Sequence, residues 1–306
     1  MQLPASQSAS SLLKATLTSH RFTSTCSAID ALLTPAPQSV QLVQLDRAGP
    51  GLTRGAVLEL MGPPGVGKSR TAMGFLLAER FREDGGEVLV VGEHTAVIDG
   101  SITADAEGSL SPGIISATAQ AYAEHHGYDA EAAQAALEGL RYRRIDSAWL
   151  LVAFFNMLET WIANHPNVHL IVIDSLSSHL RHTLDTVTRK LLCDTIRSTL
   201  GAVCSARHVS IILTTKMSIK LFGLDNRPSS WSPEAEAMLV PQLKEDWLPI
   251  NSHAVGICRV LLYWDQQGER HGRLLTSSTP TQARDAAFTM DLLGPCDYPP
   301  SAPAGS

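Results

Sequence analysis

The chain has 306 residues, with 30 acidic and 24 basic side chains for a formal net charge of −6, and it is 44% hydrophobic and 18% charged. That balance belongs to a folded protein with a large core and excludes a disordered chain. The mild acidity excludes a surface coated in nucleic-acid-binding charge, so any DNA contact must be a local patch. No window approaches about 18 uninterrupted apolar residues, which excludes a membrane-spanning helix, and the polar, Ser-rich start is not that of a secretory signal. Cys26, Cys193, Cys204, Cys258 and Cys296 are scattered without a CxxC pair, the pattern of free thiols in a reduced compartment.

Residues 1–21 read as a flexible segment with Leu12, Leu13 and Leu17 at helical spacing, and Phe22 to Leu33 ends in a short helical pattern. Prolines at 35, 37 and 50 mark a surface loop. Ala56 to Met61 predicts a buried strand running into a Gly/Pro turn, Ser69 to Phe81 a buried helix, and Val88 to Val91 the next strand. Ala117 to Leu140 and Ala148 to Ile162 predict helices, Leu170 to Ile173 a strand, Thr186 to Ala206 a helix and Ser210 to Thr214 a strand. Continuous apolar, β-branched runs separated by helices predict an α/β fold with a mostly parallel central sheet flanked by helices. Past Lys216 the pattern loosens into a Pro/Ser/charge-rich region to about Trp247. Val255 to Trp264 predicts a strand, and another begins at Arg273 across a turn at Gly268–Gly272. The Pro-rich tail reads as disordered, giving a core over 22–292 and a tail over 293–306.

Gly62-Pro63-Pro64-Gly65-Val66-Gly67-Lys68-Ser69 matches G-x-x-x-x-G-K-[ST] between a predicted strand and a predicted helix, the phosphate-binding loop of ATPases. Glycines let backbone N–H groups turn inward, and the helix N-terminus favours negative charge. Lys68 is placed to reach the β/γ-phosphates, Ser69 to take a position on Mg²⁺, and Arg70 to complete the cofactor-binding run. The second half of such a site is an acid at the end of a neighbouring strand. Asp174, after Leu170-Ile171-Val172-Ile173, fits that role as a metal ligand opposite Ser69. Asp105-Ala106-Glu107-Gly108-Ser109 supplies a carboxylate, Glu107, for orienting and deprotonating the attacking water.

In this order the phosphate loop, the D-x-E-G-S segment, the Asp174 strand and Ile211-Ile212-Leu213-Thr214 resemble the RecA-like strand-exchange ATPases, and among them the eukaryotic recombinase paralogues. The likeness is closest to the C-type paralogue. It is carried by Thr25-Cys26-Ser27-Ala28-Ile29-Asp30, Leu180-Arg181-His182, Leu239-Val240-Pro241, Glu245-Asp246-Trp247, Tyr263-Trp264-Asp265 and Thr279-Pro280-Thr281-Gln282. The resemblance covers roughly 22–292 and implies a RecA-like P-loop NTPase core that binds ATP and Mg²⁺ through Lys68, Ser69 and Asp174. Glu107 would be its catalytic carboxylate. It further implies a nuclear protein of homologous recombination repair, bound to single-stranded or branched DNA. Other recombinase paralogues and the main recombinase filament would be its partners, with no membrane. The family's DNA-facing loops map near Ser177–Asp185 and Met217–Trp247, with Arg181, His182, Lys216, Lys220 and Arg227 for phosphates and Phe222 and Trp231 for base stacking.

The chain departs from the family in four places. Thr215-Lys216 stands where the family has Asn-Gln, and a lysine donates but cannot accept a hydrogen bond. Arg70 replaces the usual Gln, and the chain carries no room for the helical N-terminal domain and no plausible Phe-x-x-Ala polymerisation motif. Finally, 92–104 interrupts the run from strand to D-x-E-G-S, as a surface loop at the rim of the site or as a retained intron. Weak DNA-dependent ATP hydrolysis is therefore the expectation. The alternatives are a scaffold that keeps ATP bound without turnover, or a RecA-fold ATPase outside recombination.

Overall fold

The computed structural model describes residues 20–34, 49–92, 110–177, 180, 186–222, 236–243, 247, 256–275 and 284–298. Within them the chain builds a 10-stranded sheet between helical layers. The strands are β1 (Val57–Gly62), β2 (Glu87–Gly92), β3 (Leu140–Arg144), β4 (Val168–Asp174), β5 (Ser210–Phe222), β6 (Glu236–Pro241), β7 (Ile257–Trp264), β8 (Arg270–Leu274), β9 (Arg284–Met290) and β10 (Pro295–Cys296). The helices are α1 (Ser27–Leu33), α2 (Lys68–Arg80), α3 (Pro112–His126), α4 (Ala130–Glu138), α5 (Ala148–Ala163) and α6 (Thr186–Arg207).

The sheet runs β10-β9-β8-β7-β1-β5-β4-β2-β3, parallel from β7 to β3 and antiparallel from β7 to β10. This is the mostly parallel, RecA-like arrangement that the sequence predicts. Side chains alternate across a strand, so each central strand feeds both cores. Leu58, Leu60, Leu170, Val172 and Ile212 face the layer of α1, α2 and α3. Val57, Ile171, Ile173, Ile211 and Leu213 face α5 and α6, with Leu151, Phe155, Ile196 and Leu200 packed over them. A strand buried on both faces needs apolar residues at every position, which is why β1 and β4 read as unbroken runs.

Several boundaries differ from the sequence reading. The helix expected over 117–140 is split, because Asp129 caps a new helix by accepting the Ala132 N–H at 2.7 Å. The strand expected over 210–214 continues to Phe222 and pairs with β6 from Met217↔Pro241 to Phe222↔Glu236, a ribbon where the sequence reads as irregular. The turn between β7 and β8 lies at Asp265–Glu269 rather than Gly268–Gly272, with Gly272 inside β8. The start of the tail is ordered rather than disordered. Cys296 pairs with Thr289, and Asp297 accepts the N–H groups of Ser27 (3.1 Å) and Ala28 (2.9 Å), closing the first turn of α1. The rest of the tail, 299–306, and the segment 1–19 lie outside the described residues. No described helix is long and apolar enough to cross a membrane.

Candidate nucleotide site

The run Gly62–Ser69 leaves the carboxyl end of β1 at the centre of the sheet and enters α2. Gly67 caps that helix at φ +108, a left-handed conformation in which a side chain would be strained. Gly62 lies so close to the Leu262 carbonyl that a Cβ would collide with it. Between them, Val66 is fully buried and anchors the loop, while Pro64 and Gly65 are exposed. Lys68 is buried, and its Nζ donates to the carbonyls of Gly62 (3.0 Å) and Pro63 (2.8 Å). The ammonium is thus held across the mouth of the loop.

Asp174 ends β4, and its carboxylate stands opposite Ser69, whose Oγ donates to Oδ1 at 2.9 Å. Thr214 Oγ1 on β5 donates to the same oxygen, and the Leu110 N–H reaches Oδ2 at 3.3 Å. Burial pushes the Asp174 carboxyl above its ordinary range, opposed by the hydrogen bonds from Thr214, Ser69 and Leu110 and by the charge of Lys68. A carboxylate so placed binds a cation more readily than it stays alone. Near it, the Tyr142 hydroxyl is buried against Gly92 at the end of β2, with no hydrogen-bond partner among the described residues. A buried carboxylate and a serine Oγ in contact with it form an oxygen donor set suited to hydrated magnesium. The inward-facing loop, the helix N-terminus and Lys68 suit a polyphosphate.

The structure brings together Gly62, Gly67, Lys68, Ser69 and Asp174 from the sequence-predicted set. Arg70 points away along the surface, its guanidinium donating to the carbonyls of Asp291 (3.3 Å) and Leu292 (2.9 Å). Lys216 pairs with Gly62 in register and is exposed; by strand alternation it shares the face of Thr214, on the Asp174 side. Lys220 is exposed on the β5–β6 ribbon opposite Met238, with Phe222 two residues on. Glu107, Arg181, His182, Arg227 and Trp231 lie outside the described residues, as does the insertion beyond Gly92. The sequence reading missed Thr214, the Leu110 N–H and Tyr142. Thr214 had a signal, a hydroxyl ending an apolar strand beside the Asp174 strand. A cleft of about 510 Å³ lined by Arg80, Gly86, Glu87 and His169 opens at the opposite, amino ends of the strands and takes no part in this site.

No family model matches the chain. The chain is similar to DNA repair protein RAD51 homolog 3 of Cricetulus griseus, 26% identical over an alignment of 289 positions that covers 86% of this chain and 68% of that protein.

Proposed function

We propose that this chain is an ATP- and Mg²⁺-binding recombinase paralogue of the RecA/RAD51 family, closest to the C-type, that works in homologous recombination repair in the nucleus. The observation that carries the reading is the contact of Ser69 Oγ with Asp174 Oδ1 at 2.9 Å, which joins a phosphate loop to a strand-end carboxylate. The relative named for DNA repair supports the biological setting.

In this reading Gly62–Ser69 and Lys68 hold the triphosphate, while Ser69 and Asp174 hold the metal with Thr214 fixing the carboxylate. When bound, ATP–Mg²⁺ supplies the phosphoanhydride whose cleavage or mere presence orders the site. Glu107 is the proposed base that takes a proton from water, and Lys216 offers a point charge where an amide would sense the γ-phosphate. Turnover is therefore weak and DNA-dependent. Single-stranded or branched DNA is proposed to lie along the ribbon of β5 and β6, with Lys216 and Lys220 on phosphates together with Arg181, His182 and Arg227. Other recombinase paralogues and the main recombinase filament are the proposed partners. The exposed Leu150 (48%) and Met157 (66%) of α5 offer apolar surface for such a contact, on the helix that follows the edge strand β3.

ATP turnover with and without single-stranded DNA, measured beside Lys68→Ala and Glu107→Gln, tests the reading. Binding of ATP at millimolar magnesium, lost in Lys68→Ala, is expected, with slow turnover lost in Glu107→Gln. Failure of the parent chain to bind ATP overturns it. The scaffold reading, favoured by Lys216, is preferred if Glu107→Gln keeps ATP binding, partner binding and repair.

A further inference from the structure

Glu59 is a charge in the middle of β1, 1% exposed in a strand otherwise built of apolar residues and glycine. Side chains from the two neighbouring strands and from Trp247 converge to keep it there. Arg259 of β7, its register partner, donates through Nε to Oε2 at 2.7 Å. Thr215 Oγ1 of β5 donates to Oε1 at 3.0 Å, and the indole N–H of Trp247 donates to the same oxygen at 3.1 Å. Trp247 is itself buried, at 5% exposure, and follows the β5–β6 ribbon in the chain. A buried ion pair of this kind adds little net stability over an apolar core of the same shape. What it fixes is which groups meet.

The groups that meet are telling. Thr214 and Thr215 are consecutive, so strand alternation sends their hydroxyls to opposite faces of the sheet. Thr214 binds Asp174 in the nucleotide site, and Thr215 binds Glu59 on the face of α5 and α6. The next residue, Lys216, gives its N–H to Ser177 Oγ at 2.9 Å, just beyond Asp174 on the chain. Glu59 in turn stands three residues before Gly62, where the phosphate loop begins. One short piece of β5 thus carries a contact with Asp174 on one side of the sheet and, on the other, with Glu59, which also holds Trp247.

We propose that Glu59 is a positioning residue that couples the nucleotide site to the β5–β6 ribbon, through Thr215 on the strand and Trp247, which follows the sheet-side end of the ribbon. It rests on the reading of this chain as an ATP- and DNA-binding protein. Nucleotide and metal that pull on Asp174 shift Thr214; Thr215 moves with it, and the Glu59–Trp247 hydrogen bond transmits the change to the segment that presents Lys220 and Phe222.

The test is the coupling itself, measured in both directions as linkage requires. Affinity for a fluorescent single-stranded oligonucleotide is titrated with and without ATP–Mg²⁺, and affinity for ATP with and without the oligonucleotide. The parent chain is expected to show the same ratio in both directions, roughly 5-fold or more. Thr215→Val and Trp247→Phe each remove one donor to Glu59, the first keeping the side-chain shape and the second an aromatic ring. They are expected to bind ATP alone within about twofold of the parent while both ratios fall toward one, and Thr215→Ser, which restores a hydroxyl, is expected to recover them. Unchanged ratios in both Thr215→Val and Trp247→Phe overturn the proposal, as does a parent chain that binds ATP and DNA without coupling. In that second case the functional reading stands; it falls as well if the parent fails to bind ATP.

Discussion

Replacing Asp174 by Asn separates what the site costs the fold from what it gives to binding. The carboxylate is 6% exposed and accepts hydrogen bonds from Ser69, Thr214 and the Leu110 N–H. An Asn oxygen can keep Ser69 and Thr214, so the amide nitrogen faces Leu110 and one long hydrogen bond of 3.3 Å is lost. Such a loss is worth about 1 kcal/mol. Against it stands the burial of a charge, which costs several kcal/mol per ion even after relaxation and which Lys68 only partly offsets. The variant is therefore expected to be more stable than the parent without nucleotide, by roughly 1–3 kcal/mol. Differential scanning fluorimetry in EDTA would read this as a higher Tm, by about 1.5 °C per kcal/mol. With ATP and magnesium the order reverses. A ligand at about 100 times its Kd raises parent stability by about 2.7 kcal/mol, and the variant, lacking the metal's carboxylate, is expected to lose most of that gain. A variant that is less stable than the parent in EDTA, yet shows the full shift with ATP–Mg²⁺, would refute the assignment of Asp174.

Asp30 gives a pH-dependent prediction. Burial pushes its carboxyl up to about 7, against an ordinary value of 3.8, partly opposed by hydrogen bonds from Ser24. The folded chain keeps a proton that the unfolded chain has released between these values, so stability falls as pH rises through that window and the cost is complete above pH 7. Asp30→Asn, which can still accept the Ser24 N–H, is expected to match the parent near pH 4 and exceed it at pH 8, by at most roughly 4 kcal/mol. Thermal melts at the two pH values check this, and equal differences at both would count against it. Gly62→Ala drives a Cβ into the Leu262 carbonyl at the mouth of the phosphate loop. It is expected to weaken ATP binding about tenfold or more and to destabilise by roughly 1–3 kcal/mol, read by nucleotide titration and denaturant melts. Phe155→Ala, deep in the core between α5 and the sheet, should cost about 3–5 kcal/mol and leave the ATP affinity of the folded fraction unchanged.

The elements nearest the nucleotide site were the most legible in the sequence. The strand into Gly62, the helix after Lys68 and the strand ending at Asp174 fall within a residue or two of their predicted bounds, because strands buried on both faces and a phosphate loop impose apolar runs and glycines that few other structures need. The β5–β6 ribbon was not legible. Lys216, Ser218 and Lys220 alternate with apolar residues on a two-stranded ribbon, and so short a pattern looks irregular until the partner strand is known. β9 and β10 escaped for the same reason, since a strand of Ala286, Ala287 and Thr289 carries little periodic signal and Pro295–Cys296 is only a pair of residues.

The linear chain by itself determined where the candidate phosphate loop lies and the kind of sheet that carries it, because both follow from local residue types and their spacing. Only the tertiary structure decided which distant groups share a carboxylate. That Thr214 meets Asp174, that Arg70 is spent on Asp291 and Leu292, and that Glu59 gathers Thr215, Arg259 and Trp247 depend on strand order and register. Order and register are settled by the packing of the whole sheet between its helices, and no window of neighbouring residues contains them.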